Sequence, residues 1–187
     1  MGSILNEVKK IIKQIKEEGL EINNTKEINN VISTFKISEL NLDEEEKDIA
    51  TYYNENIGNW YARQNLEKNH YRFLESFIIH KVGEVLYFHS KETMTSRKFV
   101  IWSQDCIAAI QFLSRENKNI MNVFIRSSDT VNLLLADYLF GCKLLKRVLE
   151  EFNIKSNKDD IVTFFTTSSH WYLKDIHTVN KIINEKT

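Results

Sequence analysis

Residues 106–152 have the sequence CIAAIQFLSRENKNIMNVFIRSSDTVNLLLADYLFGCKLLKRVLEEF, and their pattern determines the expected architecture. Two apolar runs, IAAIQFL (107–113) and NVFIRS (122–127), are rich in the β-branched and aromatic residues typical of strands. A turn-like ENKN (116–119) separates them, and a long apolar segment (131–152) follows. We therefore predict two neighbouring strands and then a long buried helix.

The flanking segments add helices and further strands. Apolar residues recur at helical spacing in 4–18, where Gly19 can end the helix, and we predict further helices at 43–58 and 71–87. Strand-like segments occur at 31–37, 98–102 and 161–168, and the last of these precedes HWYLKD and a short final helix. The sequence contains no repeat or linker, so we predict one α+β domain, residues 1–187, with a sheet flanked by helices.

Composition narrows the function classes. The 187 residues are 42% hydrophobic and 27% charged, with a net charge of −1, which predicts no bulk attraction to nucleic acid or to a membrane surface. No apolar run approaches the roughly 18 residues that a membrane span requires, and we expect a cytoplasmic protein. Two cysteines, Cys106 and Cys142, make no disulfide framework, and no Cys/His spacing indicates a metal site.

Cys106 lies at the edge of an apolar strand, where a cysteine alone is more often a small buried hydrophobe than a nucleophile. Its downstream neighbours change that assessment. R-S-S-D (126–129) begins 20 residues after Cys106, Asp137 follows 31 residues after it, and H-W-Y (170–172) comes later.

These motifs resemble those of the thymidylate synthase and pyrimidine hydroxymethylase family. In that family a catalytic cysteine begins C-H-x-x-x-Q-F, an adjacent strand ends in R-S-x-D, a helix presents an asparagine to the base, and H-x-Y binds the sugar. S-R-K (96–98) resembles the family's phosphate motif, and G-N-W-Y-A-R-Q (58–64) resembles its tyrosine-containing segment. The clear similarity covers about 96–138 and 168–173, and it implies a mixed sheet flanked by helices in a short archaeal- or phage-like form.

The resemblance also implies residue roles. Cys106 would be the nucleophile, with Arg126 lowering the pKa of its thiol. The family's homodimers share arginines, so Arg97 would reach the phosphate bound by the neighbouring subunit. Methylenetetrahydrofolate would be the one-carbon donor and a pyrimidine nucleoside monophosphate the substrate. The implied catalytic residues are Cys106, Asp137 and Tyr61; the implied substrate-binding residues are Arg126, Ser127, Asp129, Gln111, His170, Tyr172 and Arg97.

The residue types suit transfer of a hydroxymethyl or methyl group to carbon 5 of a pyrimidine. A thiolate that adds at carbon 6 makes carbon 5 nucleophilic, and cysteine is strongly nucleophilic yet leaves easily. Asp137 replaces the family's asparagine, and a carboxyl group can accept from the amino group of cytosine. We therefore expect deoxycytidylate (dCMP) as the nucleotide. An exposed helix residue is the alternative interpretation of Asp137.

Departures from the family leave two alternatives open. Ile107 stands where the family has a histidine, and the general acid/base glutamate is unassigned, with Glu27 its nearest positional candidate. The chain could therefore be a nucleotide-binding protein that has lost catalysis. It could also be a short thymidylate synthase that uses deoxyuridylate (dUMP), although Asp137 argues against this.

Overall fold

The computed structural model describes residues 3–58, 70–89, 99–115 and 117–184. In these residues, six strands and five α-helices are formed. In chain order they are α1 (Ile4–Glu18), β1 (Leu20–Ile22), β2 (Thr25–Lys36), α2 (Leu42–Asn56), α3 (His70–His89), β3 (Val100–Trp102), β4 (Ile107–Arg115), β5 (Lys118–Asp129), α4 (Leu134–Glu151), β6 (Ile161–Tyr172) and α5 (Ile176–Asn184).

The strands form one sheet in the order β1-β2-β6-β5-β4-β3. Neighbouring strands are antiparallel except for β5 and β6, which are parallel and are connected through α4. A parallel pair needs such a long crossover, because a tight turn can only reverse the chain. The predicted single α+β domain with a mixed sheet flanked by helices is confirmed.

The core lies between the helices and one face of the sheet. In α1 the buried residues Ile4, Val8, Ile11, Ile12 and Ile15 form one stripe at helical spacing. Helix α4 is buried along most of its length and packs close to β6, where the rings of Tyr138 and Phe164 lie 4.4 Å apart. Gly141 permits this approach, since a Cβ atom there would lie 2.5 Å from Phe164 Cζ.

The opposite face of the sheet carries an exposed apolar row. Cross-strand pairing aligns Ile32, Phe165, Phe124 and Trp102, with Ala109 between the last two. Phe124 and Phe165 stack at 5.1 Å, whereas Trp102 is 73% and Ile32 61% exposed. We call these four large side chains the apolar row.

Strand pairing is interrupted at one level across four strands. Asn30 in β2, with φ 60°, and Thr167 in β6 have no register partner, nor does Arg126 in β5, and Ala108 forms a bulge in β4. Asparagine tolerates this left-handed conformation better than most residues. Across the interruption, successive buried residues are three positions apart instead of two in both β5 and β6, which turns new side chains towards the helices.

Several element boundaries differ from the predictions; the strand predicted at 122–127, for example, spans Lys118–Asp129. Helix α4 begins at Leu134 rather than residue 131, because Asp129 caps the turn before it. Strand β6 continues to Tyr172, so H-W-Y belongs to the strand. The strand predicted at 31–37 extends back to Thr25 and forms a hairpin with β1, which the sequence did not predict.

Helices that could cross a membrane do not occur in the described part of the chain, since none combines the necessary length and hydrophobicity.

Candidate functional site

Cys106 is held in place directly before β4. Its backbone N–H donates to the Asp105 carboxylate at 2.7 Å, and its carbonyl oxygen accepts from the backbone N–H of Arg126 at 2.8 Å. The residue is half-buried, whereas the other cysteine, Cys142, is wholly buried in α4. Cys106 therefore has access to a ligand, and its backbone is fixed beside Arg126.

Arg126 is exposed because it occupies the level where strand pairing is interrupted. The same interruption directs Ser128 inward, three residues after buried Ile125. Two side chains of β5 thus leave the strand in different directions, Arg126 to solvent and Ser128 towards the helices. Bulges often redirect side chains next to active sites in this way.

Asp137 lies in the first turn of α4 and is only 5% exposed. Its Oδ1 accepts a hydrogen bond from the Tyr71 hydroxyl at 2.7 Å, and its Oδ2 accepts one from the Ser128 hydroxyl at 2.8 Å. The helix N-terminus adds a favourable interaction with a negative charge. The alternative of an exposed helix residue is therefore wrong.

The electrostatics of Cys106 differ from the expectation. Burial raises the pKa of its thiol above the ordinary value, the Asp137 and Asp105 carboxylates raise it further, and the Arg126 guanidinium lowers it. The predicted effect of Arg126 has the right sign but is outweighed, because two carboxylates and burial disfavour the thiolate. Their influence also shows that Cys106, Arg126 and Asp137 share one electrostatic environment.

Tyr71 completes this group, and sequence reasoning missed it. Burial of its hydroxyl group and the Asp137 carboxylate raise the pKa of Tyr71 well above its usual value, so the hydroxyl keeps its proton. Its ring lies 4.9 Å from that of Phe140, one turn beyond Asp137 in α4. No sequence spacing connects Tyr71 to Asp137, 66 residues away.

A second polar group lies at the same end of the sheet. The hydroxyl of Ser127 is 3.4 Å from His170 Nδ1, and the rings of His170 and Tyr172 meet edge to face at 5.5 Å. Ser168, the register partner of Ser127, donates to Glu27 at 3.1 Å. These side chains alternate with buried Ser169 and Trp171 and so project from the other side of the sheet.

Two residues that were predicted to bind substrate, Gln111 and Asp129, are hydrogen-bonded to neighbouring residues of the sheet and of the turn before α4. Gln111 lies between inward-facing Ile110 and Phe112, so it projects from the opposite face, where it accepts from Asn122 at 3.0 Å. The structure therefore does not bring Gln111 to Asp137. The carboxylate of Asp129 accepts from the backbone N–H groups of Val131 and Asn132 at 3.1 and 3.2 Å, which makes it a cap for the turn before α4.

Tyr61 and Arg97 lie outside the described residues. Among the residues that are described, no group of three or more His, Cys, Asp or Glu side chains is placed to hold a metal ion. The remaining predicted residues fall into the two groups above. The first, which we call the Cys106 group, contains Cys106, Arg126 and Asp137 together with Tyr71 and Ser128, which the sequence did not predict. The second contains Ser127, His170 and Tyr172.

No family model and no curated protein matches this chain.

Proposed function

We propose that the chain is a one-carbon transferase that acts on carbon 5 of a pyrimidine nucleoside monophosphate, with dCMP as its preferred substrate. One observation carries the proposal: a nucleophile, a cation and a base-reading carboxyl group, spread over 31 residues of sequence, share one environment. The resemblance to thymidylate synthases assigned these three residues to one site from motif spacing. Their proximity in the fold supports that assignment.

Each member of the Cys106 group has a task in this reaction. Arg126 is exposed and can bind the nucleotide phosphate through charge-assisted hydrogen bonds. Asp137 can accept from the cytosine amino group, because the oxygen atoms of an ionised carboxylate are hydrogen-bond acceptors. The Cys106 thiolate adds to carbon 6, and the electrons of the ring double bond make carbon 5 nucleophilic.

Binding of a cytosine would also affect the nucleophile. A donor group on Asp137 offsets part of the negative charge that raises the pKa of Cys106. Base recognition then favours the thiolate that attacks the same base. Methylenetetrahydrofolate is the donor that the resemblance implies, and no described residue is assigned to it, so the proposal rests on the nucleotide side of the reaction.

The proposed enzyme forms a homodimer through the apolar row. The neighbouring row of cross-strand partners is uncharged and contains Thr34, Thr163, Asn122 and Gln111. The hydroxyl groups of Thr34 and Thr163 are hydrogen-bonded at 3.1 Å, and the Asn122 amide donates to Gln111 at 3.0 Å. Two copies related by a two-fold axis would bring these two rows against themselves without like-charge repulsion between the rows. Arg126 follows Phe124 by two residues, so the nucleotide site would lie close to such an interface.

A tritium-release assay tests the proposal. We expect the chain to release tritium from carbon 5 of dCMP in the presence of methylenetetrahydrofolate, and less from dUMP. Cys106→Ala should reduce release to background, whereas Cys142→Ala, at the other cysteine, should retain it. Asp137→Asn should move the preference towards dUMP, and an unchanged preference would refute the role of Asp137.

A nucleotide-binding protein without catalysis is the second candidate. The raised pKa of Cys106 favours it, because less thiolate is present in the free protein. Tight binding of dCMP with no tritium release under any condition would select this candidate over the enzyme.

A further inference from the structure

Tyr71 and Ser128 hold the Asp137 carboxyl group from two sides. The Tyr71 hydroxyl, from the first turn of α3, binds Oδ1 at 2.7 Å, and the Ser128 hydroxyl, from β5, binds Oδ2 at 2.8 Å. Three separate elements meet at this carboxyl group, so its plane cannot rotate without breaking one of the bonds. The Tyr71 ring is itself placed against Phe140 of the helix that carries Asp137.

Both hydroxyl groups act as donors in this arrangement. An ionised carboxylate only accepts hydrogen bonds, whereas a protonated carboxyl group also donates one. Two donors on the two oxygens favour the ionised form, because hydrogen bonds to a charged group stabilise its charge. Cytosine offers an amino donor to such a carboxylate, but uracil offers a carbonyl oxygen at the same position, which the carboxylate would repel.

We propose that Tyr71 is a positioning residue that sets the base preference, by holding Asp137 as an ionised and oriented acceptor. This inference rests on the proposed function, because it needs a pyrimidine bound at Asp137. It assigns base specificity to a residue of α3 that acts on the base indirectly, by positioning Asp137. Ser128 performs the same task on the other oxygen.

Tyr71→Phe tests the inference, since it removes the hydroxyl group and keeps the ring. The dissociation constants of dCMP and dUMP would be measured by titration calorimetry on the full chain. We expect the preference for dCMP to fall about tenfold, which is the usual effect of losing a hydrogen bond to a charged group. The ratio of the two constants is the informative quantity, because a partly unfolded variant weakens both affinities equally.

Two further variants complete the experiment. Ser128→Ala should lower the same ratio, because it removes the donor to Oδ2. Tyr138→Phe is the matched control: it also removes a buried tyrosine hydroxyl, whose partner is Ser33 Oγ at 3.1 Å, and should leave the ratio unchanged. If Tyr71→Phe does not fold, the ratio measured for Ser128→Ala decides.

The outcomes separate the inference from the proposed function. A wild-type chain that binds neither nucleotide overturns both. A wild-type chain that prefers dCMP, with variants at Tyr71 and Ser128 that keep the full preference, overturns the role of Tyr71 and leaves the proposed function intact. A wild-type preference for dUMP contradicts the ionised acceptor. A reduced ratio in both variants, with Tyr138→Phe unchanged, supports the inference.

Discussion

Cys106 experiences opposing influences from its neighbours. Arg126 favours the thiolate, whereas burial, Asp137 and Asp105 favour the thiol, and the second set prevails. A thiol in this state is protected from oxidation, because oxidants attack the thiolate. The reactivity of this thiol therefore depends on the charges of Asp137 and Arg126.

This balance predicts the pH dependence of Cys106 alkylation. Iodoacetamide reacts with thiolate, so a raised pKa means that the rate should still be rising at pH values above the ordinary thiol pKa of about 8.5. Arg126→Gln removes the stabilising charge and should move the midpoint to higher pH. Asp137→Asn removes a destabilising charge and should move it to lower pH.

Mass spectrometry of the alkylated peptides would measure both shifts. Cys142 provides an internal control, since it is wholly buried and burial raises its pKa strongly, so it should stay unmodified in the folded chain. Midpoints that move together in the two variants would contradict the arrangement of charges described for Cys106.

Individual residues were predictable from the sequence to different degrees. The family resemblance grouped Cys106, Arg126 and Asp137 by motif spacing, and the fold places them directly before β4, in β5 and in α4. The outward direction of Gln111 could also have been inferred, since the apolar residues on either side of it alternate with it. Tyr71 could not, because a single contact between distant helices has no periodic pattern in the sequence.

Among the elements, α4 packs closely against the sheet at Gly141. Gly141 faces the ring of Phe164, and the Cζ and Cε1 atoms of that ring would lie 2.5 and 2.6 Å from an added Cβ atom. The ring itself is fixed between Tyr138 and Phe35, with centroid distances of 4.4 and 5.9 Å. Helix α4 therefore has to shift if residue 141 gains a side chain.

Gly141→Ala should lower the free energy of unfolding by about 1–3 kcal/mol, the usual result of overpacking a core. Gly83→Ala is the matched control in α3, where the nearest atom to an added Cβ is 3.6 Å away. Alanine is the better helix former by up to about 1 kcal/mol, so Gly83→Ala should be neutral or stabilising. Urea denaturation would measure both variants, and equal effects would contradict the close packing at Gly141.

Element types were predictable where the periodicity is strong. The helices at 4–18 and 43–58 and the main strands follow their apolar patterns, and the structure confirms them. The interruption at Asn30, Arg126 and Thr167 was not predictable, because each residue is unremarkable in its own strand. Only the register of the assembled sheet places the three at one level.

At the scale of the whole molecule, the apolar row distinguishes the two faces of the sheet. Phe124→Glu would place a charge in its centre, beside stacked Phe165. If two copies pack through this face, the variant should be monomeric where the wild-type chain is dimeric, because burial of an unpaired charge is costly. Sedimentation equilibrium would measure the two masses.

Ile22→Glu is the control for this experiment. Ile22 is 44% exposed, and it pairs with Thr25, which in turn pairs with Tyr172 in β6. Tyr172 is seven residues from Phe165 in that strand, so Ile22 is not part of the apolar row. The control should keep the wild-type mass. A dimer that survives Phe124→Glu and dissociates with Ile22→Glu would place the interface elsewhere on the sheet.

The order of strands also constrains how the chain can fold as it is synthesised. Strand β6 lies between β2 and β5 in the sheet, yet it is the last strand to leave the ribosome. Until residues 161–172 emerge, eleven residues of β2 lack their β6 partners, and the inner edge of β5 stays open. Nascent chains therefore carry two open sheet edges between the synthesis of β5 and that of β6, and an early stop between residues 129 and 161 would leave both as sites for aggregation.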